Sequence, residues 1–293
     1  MSRSLLWQVL AGSGPCIDRV RLIERGLASG WLIPAMRYGR LRFSPAILED
    51  ALRSSRDVDE AGRLFSLGMS FLGVRGTCKT TGDARTGLAD EVALHRAGEF
   101  DAPGFLEVGA SDGSASAGLL EVGRFSRFIL TDRHNCFYAR SIPGGSLFLD
   151  AEARLLGIKW LCFNLALPAG RAMNTDGWRR IGTLNPAVAS RFGVRAIERF
   201  DMFRDVLDAP VELIRCSNIL NACYFSDAEI LAAVGNLMRS LVPGGYLVIS
   251  HNNEKYAGGE AVLSLQKTEA GYAAADELNG HELLPLLAPG GGA

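Results

Sequence analysis

Paired cysteines, a charge excess and long apolar runs are all missing from this 293-residue chain. Its six cysteines, at 16, 78, 136, 162, 216 and 223, include no C-x-x-C pair and no Cys/His spacing of the zinc-holding kind. No metal site is therefore expected, and the thiols read as reduced and mostly buried in a cytoplasmic protein. Lys and Arg total 31 against 32 Asp and Glu, a formal net charge of -1. With neither a basic excess nor a basic cluster, nothing electrostatic points to nucleic acid or to an anionic membrane as partner. The longest apolar stretch, Leu155 to Leu167, is broken by Gly157, Lys159 and Asn164. It falls short of the roughly 18 residues a membrane span needs. Leu5 to Ala11 follows Arg3, but Gln8 interrupts it and no small-residue cleavage pattern follows, so no signal peptide is expected.

What is present is globular. Hydrophobic residues make up 48% and charged residues 22%, which excludes a disordered or collagen-like chain. At roughly 150 residues per domain, the length suits one large domain or two small ones.

Residues 1–100 read as a helical N-terminal segment. Ser44-Pro45 looks like a helix start, after which Ile47, Leu48 and Leu52 recur at helical spacing. Leu64, Phe65, Leu67, Phe71 and Leu72 suggest a second buried face, and residues 74–88 a loop. From Phe105 the pattern changes. Phe105 to Val108 is a short apolar run that ends at a glycine, as a buried parallel strand does. Phe125 to Leu130 and Val211 to Cys216 read as further strands. Ser226 and Glu229 form a capping box before a helix with Ile230, Val234, Leu237 and Leu241 on one face. Pro243-Gly244-Gly245 stops it, and Tyr246 to Ser250 is the next strand. Strand, helix, strand makes a parallel crossover unit. Val262 to Leu265 and the stretch after Gly271 suit a hairpin, and residues 283–293 a flexible tail.

In an open α/β sheet, ligands bind beyond the carboxyl ends of the strands. The first strand ends in Glu107-Val-Gly109-Ala-Ser111-Asp-Gly113, where glycines let the backbone turn sharply and approach a ligand. The second ends at Asp132, placed to accept both hydroxyls of a ribose. Asp201, with Asp205 and Asp208 close by in sequence, suits an adenine amine, and Met202 suits the ring face. Ser217 and Asn218 end a further strand.

These landmarks resemble the class I S-adenosylmethionine-dependent methyltransferases: the E-x-G-x-x-x-G of Glu107 to Gly113, the acid at Asp132, Asp201-Met202, the strand VELIRCSNIL, and LVPGGYLVIS from Leu241 to Ser250. The stretch from Val211 to Ser250 is also locally similar to the chemotaxis receptor methyltransferases. The resemblance implies an α/β, Rossmann-like, mostly parallel sheet of about seven strands with a C-terminal reversed hairpin, over residues 101–282. It implies S-adenosylmethionine as cofactor, held by Glu107, Gly109, Ser111, Gly113, Asp132, Asp201, Met202 and Ser217. The acceptor it implies is a small molecule or is peptide-like. The segment between Asp132 and Asp201 is longer than the family's, with an insertion at about 141–190 that suits a lid, a pocket wall or an extra hairpin. No Asn/Asp-Pro-Pro-Tyr motif is present, so base or glutamine methylation of that type is not expected.

Methyl transfer needs a base only when the acceptor carries a tightly held proton. His134, Tyr224 and His251 are the weak candidates. Two other readings stand beside this one. A binding or regulatory protein would keep the fold without transfer. An α/β-hydrolase would use Ser111 in the G-x-S-x-G of Gly109 to Gly113 as nucleophile, although no H-G-G-G stretch supplies an oxyanion hole.

Overall fold

The structure is a computed structural model that describes residues 13–74, 77–78, 86–168 and 170–288. The Leu5 to Ala11 run, most of the 74–88 loop and the last residues of the tail, 289–293, lie outside the described residues. Among the described residues the strands are β1 (Gly14–Pro15), β2 (Gly73–Val74), β3 (Thr77–Cys78), β4 (Gly104–Val108), β5 (Arg127–Asp132), β6 (Cys136–Ile142), β7 (Gly145–Leu149), β8 (Leu155–Trp160), β9 (Phe163–Ala166), β10 (Arg179–Gly182), β11 (Glu198–Arg199), β12 (Val211–Ser217), β13 (Leu241–Asn252), β14 (Glu260–Thr268) and β15 (Gly271–Leu278). The helices are α1 (Val20–Ala28), α2 (Leu32–Arg37), α3 (Ala46–Ser54), α4 (Val58–Ser70), α5 (Gly87–Ala97), α6 (Ala117–Val122), α7 (Pro186–Phe192), α8 (Asp227–Arg239) and α9 (Leu284–Leu287). None is long and apolar enough to cross a membrane.

Two compact units form, residues 1–81 with 134–197 and residues 82–133 with 198–293. This differs from the division expected at residue 100. The stretch between β5 and β11 joins the N-terminal helices, while α5 packs on the second unit's sheet.

The first unit holds a six-stranded antiparallel sheet, in the order β1-β9-β8-β7-β6-β10, which the sequence did not suggest. The apolar stretch at 155–167 is its β8–β9 hairpin. Phe137, Ala139, Phe148 and Ile181 on one face pack against Ile47 and Leu48 of α3 and Leu64, Phe65 and Met69 of α4. Leu52, expected on the buried face of α3, is exposed, and Ala51 takes the inward position.

The second unit holds a seven-stranded sheet, in the order β11-β5-β4-β12-β13-β14-β15. β11 through β13 run parallel, β14 runs against β13, and β15 runs against β14. The fold is α/β, as expected. Every residue of β4 is buried, as in a strand covered on both faces. On one face α8 presents Ile230, Val234 and Leu237 to Leu106, Val108, Ile214, Cys216, Leu247 and Ile249. The helix starts where its capping box places it, with the Ser226 N–H donating to Glu229 Oε2 at 2.9 Å. On the other face lies α5. The expected tail is corrected in its first part. α9 is ordered because Leu283 and Leu287 belong to this core, only 2% and 1% exposed.

Candidate functional site

At the carboxyl end of β4 the chain turns sharply through three residues with positive φ: Gly109 at 76°, Ser111 at 57° and Gly113 at 85°. Serine in this region costs about 1 kcal/mol relative to glycine. The turn is held by the Ala110 N–H on the Thr131 carbonyl at 2.7 Å and the Gly113 N–H on the Ala110 carbonyl at 2.8 Å. The Ser111 N–H donates to Asp132 Oδ2 at 3.1 Å, so the acid that ends β5 touches the glycine turn directly. Asp112 is fully buried and accepts from both the N–H and the hydroxyl of Ser114, which starts the chain into α6.

A Cβ on Gly109 would lie 1.7 Å from Ile219 Cδ1. The space beside this glycine is therefore filled by a side chain of the loop after β12.

Asp201 lies two residues past β11, whose Arg199 sits opposite Asp132 in the parallel register. Its carboxylate accepts the Phe203 N–H at 3.1 Å, and Arg133 Nε lies 3.8 Å from Oδ2. The neighbouring Asp205 is turned back onto the Asp201 N–H at 2.7 Å, which leaves Asp201 at the strand end. Met202, expected against a ring, is 7% exposed and packed in the core.

Glu107 also departs from expectation. It is 4% exposed, and its carboxylate accepts from Arg215 Nε at 2.6 Å. The side chain serves an internal partner rather than an open site. Burial pushes its carboxyl up.

Ser217 stands opposite Ser250 at the ends of β12 and β13, and its hydroxyl is buried without a partner among the described residues, as is that of Ser111. The next residues clamp the two strand ends together. Asn218 Nδ2 donates to Asn252 Oδ1 at 2.6 Å, and the Asn252 N–H donates to Asn218 Oδ1 at 2.7 Å.

Beyond them, His251 Nδ1 lies 3.3 Å from the Tyr256 hydroxyl and 3.4 Å from Glu282 Oε1. Glu282 accepts in turn from Lys255 at 2.5 Å and from the Ala222 N–H at 3.2 Å. Burial lowers the His251 pKa, so the imidazole is neutral at pH 7. The other two base candidates have different surroundings. Tyr224 is 66% exposed. His134 belongs to the first unit, where its Nδ1 lies 3.7 Å from Glu152 Oε2.

Sequence reasoning missed Arg215, Ile219 and Glu282. Arg215 carried a signal: a charge in the middle of an apolar strand needs a buried partner, and Glu107 offers one in a neighbouring apolar strand. For Ile219 and Glu282 there was none, because their roles depend on loops.

No family model and no curated protein matches the chain. Among solved structures it is similar to the N-methyltransferase NodS from Bradyrhizobium japonicum WM9 in complex with S-adenosyl-L-homocysteine, at 14% identity and a TM-score of 0.33. That match covers 57% of this chain and 62% of NodS, less than two thirds of its length. It is also similar to the sugar N-methyltransferase KedS8 from Streptoalloteichus sp ATCC 53650, at 16% identity, 70% and 74% coverage and a TM-score of 0.32. The pyocyanin biosynthetic protein PhzM is a third likeness, at 15% identity, 78% and 48% coverage and a TM-score of 0.34.

Proposed function

We propose that the second unit binds S-adenosylmethionine across the carboxyl ends of β4, β5 and β11 and passes its methyl group to a small-molecule or peptide-like acceptor. One observation carries this reading: the hydrogen bond from the Ser111 N–H to Asp132, which brings glycine turn and acid together at adjacent strand ends.

The cofactor supplies an activated methyl group on a sulfonium, itself a good leaving group. The protein's task is then mostly alignment. In this reading the turn at Gly109, Ser111 and Gly113 borders the amino-acid end of the ligand. Asp132 takes the ribose hydroxyls, Asp201 takes the adenine amine, and Met202 backs the pocket from the core. Glu107 acts only through Arg215. His251 is the base for an acceptor that must lose a proton. With Nδ1 turned toward Glu282 and Tyr256, its Nε2 is the nitrogen that takes the proton, and burial keeps that nitrogen unprotonated at neutral pH.

The hydrolase reading is disfavoured because the Ser111 hydroxyl has no hydrogen-bond partner among the described residues, and none of them is placed as its base. Native mass spectrometry tests the proposal. A one-to-one adduct is expected with both S-adenosylmethionine and S-adenosylhomocysteine, and an unchanged mass with both overturns it. Binding without release of S-adenosylhomocysteine in the presence of any acceptor would favour the silent, regulatory form of the fold.

A further inference from the structure

We propose that Arg215 is a positioning residue that fixes the glycine turn from beneath; its consequence for ligand binding rests on the cofactor reading above, its geometry does not. Arg215 stands in the middle of β12, opposite Glu107 of β4, and is wholly buried. Its Nε donates to Glu107 Oε2 at 2.6 Å, and its Nη1 to Asp90 of α5. Its Nη2 donates to the Ala115 carbonyl at 3.3 Å and to Ser116 Oγ at 3.2 Å. One planar head therefore joins the strand before the turn, the helical turn after it, and α5 on the face of the sheet. The Phe105 ring centroid lies 6.0 Å from Arg215 Cζ. Glu260 adds a further charge nearby and accepts the Leu88 N–H of α5 at 2.9 Å. Burial lowers the guanidinium pKa to about 10, and it stays charged at neutral pH.

Apolar side chains of similar size commonly replace a buried ion pair without loss of stability. What they cannot do is donate to the Ala115 carbonyl and the Ser116 hydroxyl while holding the residue that leads into the turn. The turn needs such a hold. Residues 109, 111 and 113 all sit at positive φ, and a serine there relaxes unless its surroundings over-determine it. Lysine would not substitute, since a single ammonium lacks the fork that reaches three elements at once.

The test pairs Arg215→Met/Glu107→Met, which removes the facing pair and keeps the volume, with Ser116→Ala, which removes one contact on the turn side. Three readings are taken: thermal unfolding, amide hydrogen exchange and S-adenosylhomocysteine affinity by calorimetry. The expected result for the double variant is a folded protein with exchange at 109–117 at least tenfold faster, unchanged exchange in α8 and β14, and affinity at least tenfold weaker. Ser116→Ala should move the same two quantities by a smaller factor, and it decides the matter alone if the double variant does not fold. Wild-type exchange at 109–117, or a change spread evenly over the whole unit, overturns the proposal. If the wild-type protein does not bind S-adenosylhomocysteine, the cofactor reading fails, and exchange at the turn still decides the role of Arg215.

Discussion

Gly109→Ala probes the junction between the glycine turn and the loop after β12. The new Cβ would lie 1.7 Å from Ile219 Cδ1 and 3.1 Å from its Cγ1, against a comfortable carbon separation of about 3.5–4.0 Å. Ile219 has to leave its position, a repacking of the kind that costs about 1–3 kcal/mol. Separately, the backbone at φ 76° strains any residue with a Cβ by about 1–2 kcal/mol. Gly109→Ala should therefore destabilise the second unit by roughly 2–5 kcal/mol. In an Ile219→Ala background the clash is gone and only the backbone strain of about 1–2 kcal/mol remains. The two changes should then couple by about 1–3 kcal/mol in a double-mutant cycle followed by urea unfolding and circular dichroism. Coupling below about 0.5 kcal/mol would mean that Ile219 does not hold the space beside Gly109, and the geometry of the turn would be wrong. The same double variant should recover S-adenosylhomocysteine binding relative to Gly109→Ala.

Asp132→Ala should weaken S-adenosylhomocysteine binding by about 2–4 kcal/mol, roughly 30- to 900-fold, since two charged hydrogen bonds are lost; equal affinity by calorimetry removes Asp132 from the site. Ser111→Gly should stabilise the protein by up to about 1 kcal/mol by relieving the positive φ, and Ser111→Ala should bind the ligand within about tenfold of wild type. Stoichiometric fluorophosphonate labelling of wild type that is lost in Ser111→Ala would instead favour the hydrolase. His281 supplies a pH test. Burial pushes its pKa down to about 4, its Nδ1 accepts the Leu283 N–H at 3.2 Å, and its Nε2 is buried without a partner among the described residues. The unfolded chain takes a proton near pH 6.5 that the native imidazole refuses until about pH 4, so stability is lost as pH falls through that window, by up to about 3 kcal/mol. His281→Asn, whose amide oxygen takes the place of Nδ1, should flatten this slope; an unchanged slope assigns the acid loss to another group.

The second unit was legible where its elements are locally consistent. Ser226 and Glu229 marked the start of α8, and Ile230, Val234 and Leu237 marked its buried face, because capping and helical period are properties of adjacent residues; Leu241, read as the fourth residue of that face, instead opens β13. β4 and β12 announced themselves as apolar runs. The first unit was not legible as a sheet, since its pairings are distant: Gly14 lies against Asn164, and Cys136 against Gly182. Its strands also mix exposed apolar residues such as Trp160 and Phe163 with glycine and lysine, so no alternation shows. At the site, residue types at strand ends could be named from order alone. A charge inside each apolar strand hinted that Glu107 and Arg215 need partners, but that they partner each other was not legible, because 108 positions separate them and only the register of β4 with β12 sets them opposite. The tail was misread because Leu283 and Leu287 follow a polar turn and gain their place only from the core of the finished sheet.

Amide hydrogen exchange with and without S-adenosylhomocysteine tests the central claim most directly, since it reports both whether the ligand binds and where. The account predicts slower exchange at 109–116, at 131–133 and at 200–204, the ends of β4, β5 and β11, which lie side by side in the sheet. No change anywhere, or protection confined to residues 134–197, would contradict it.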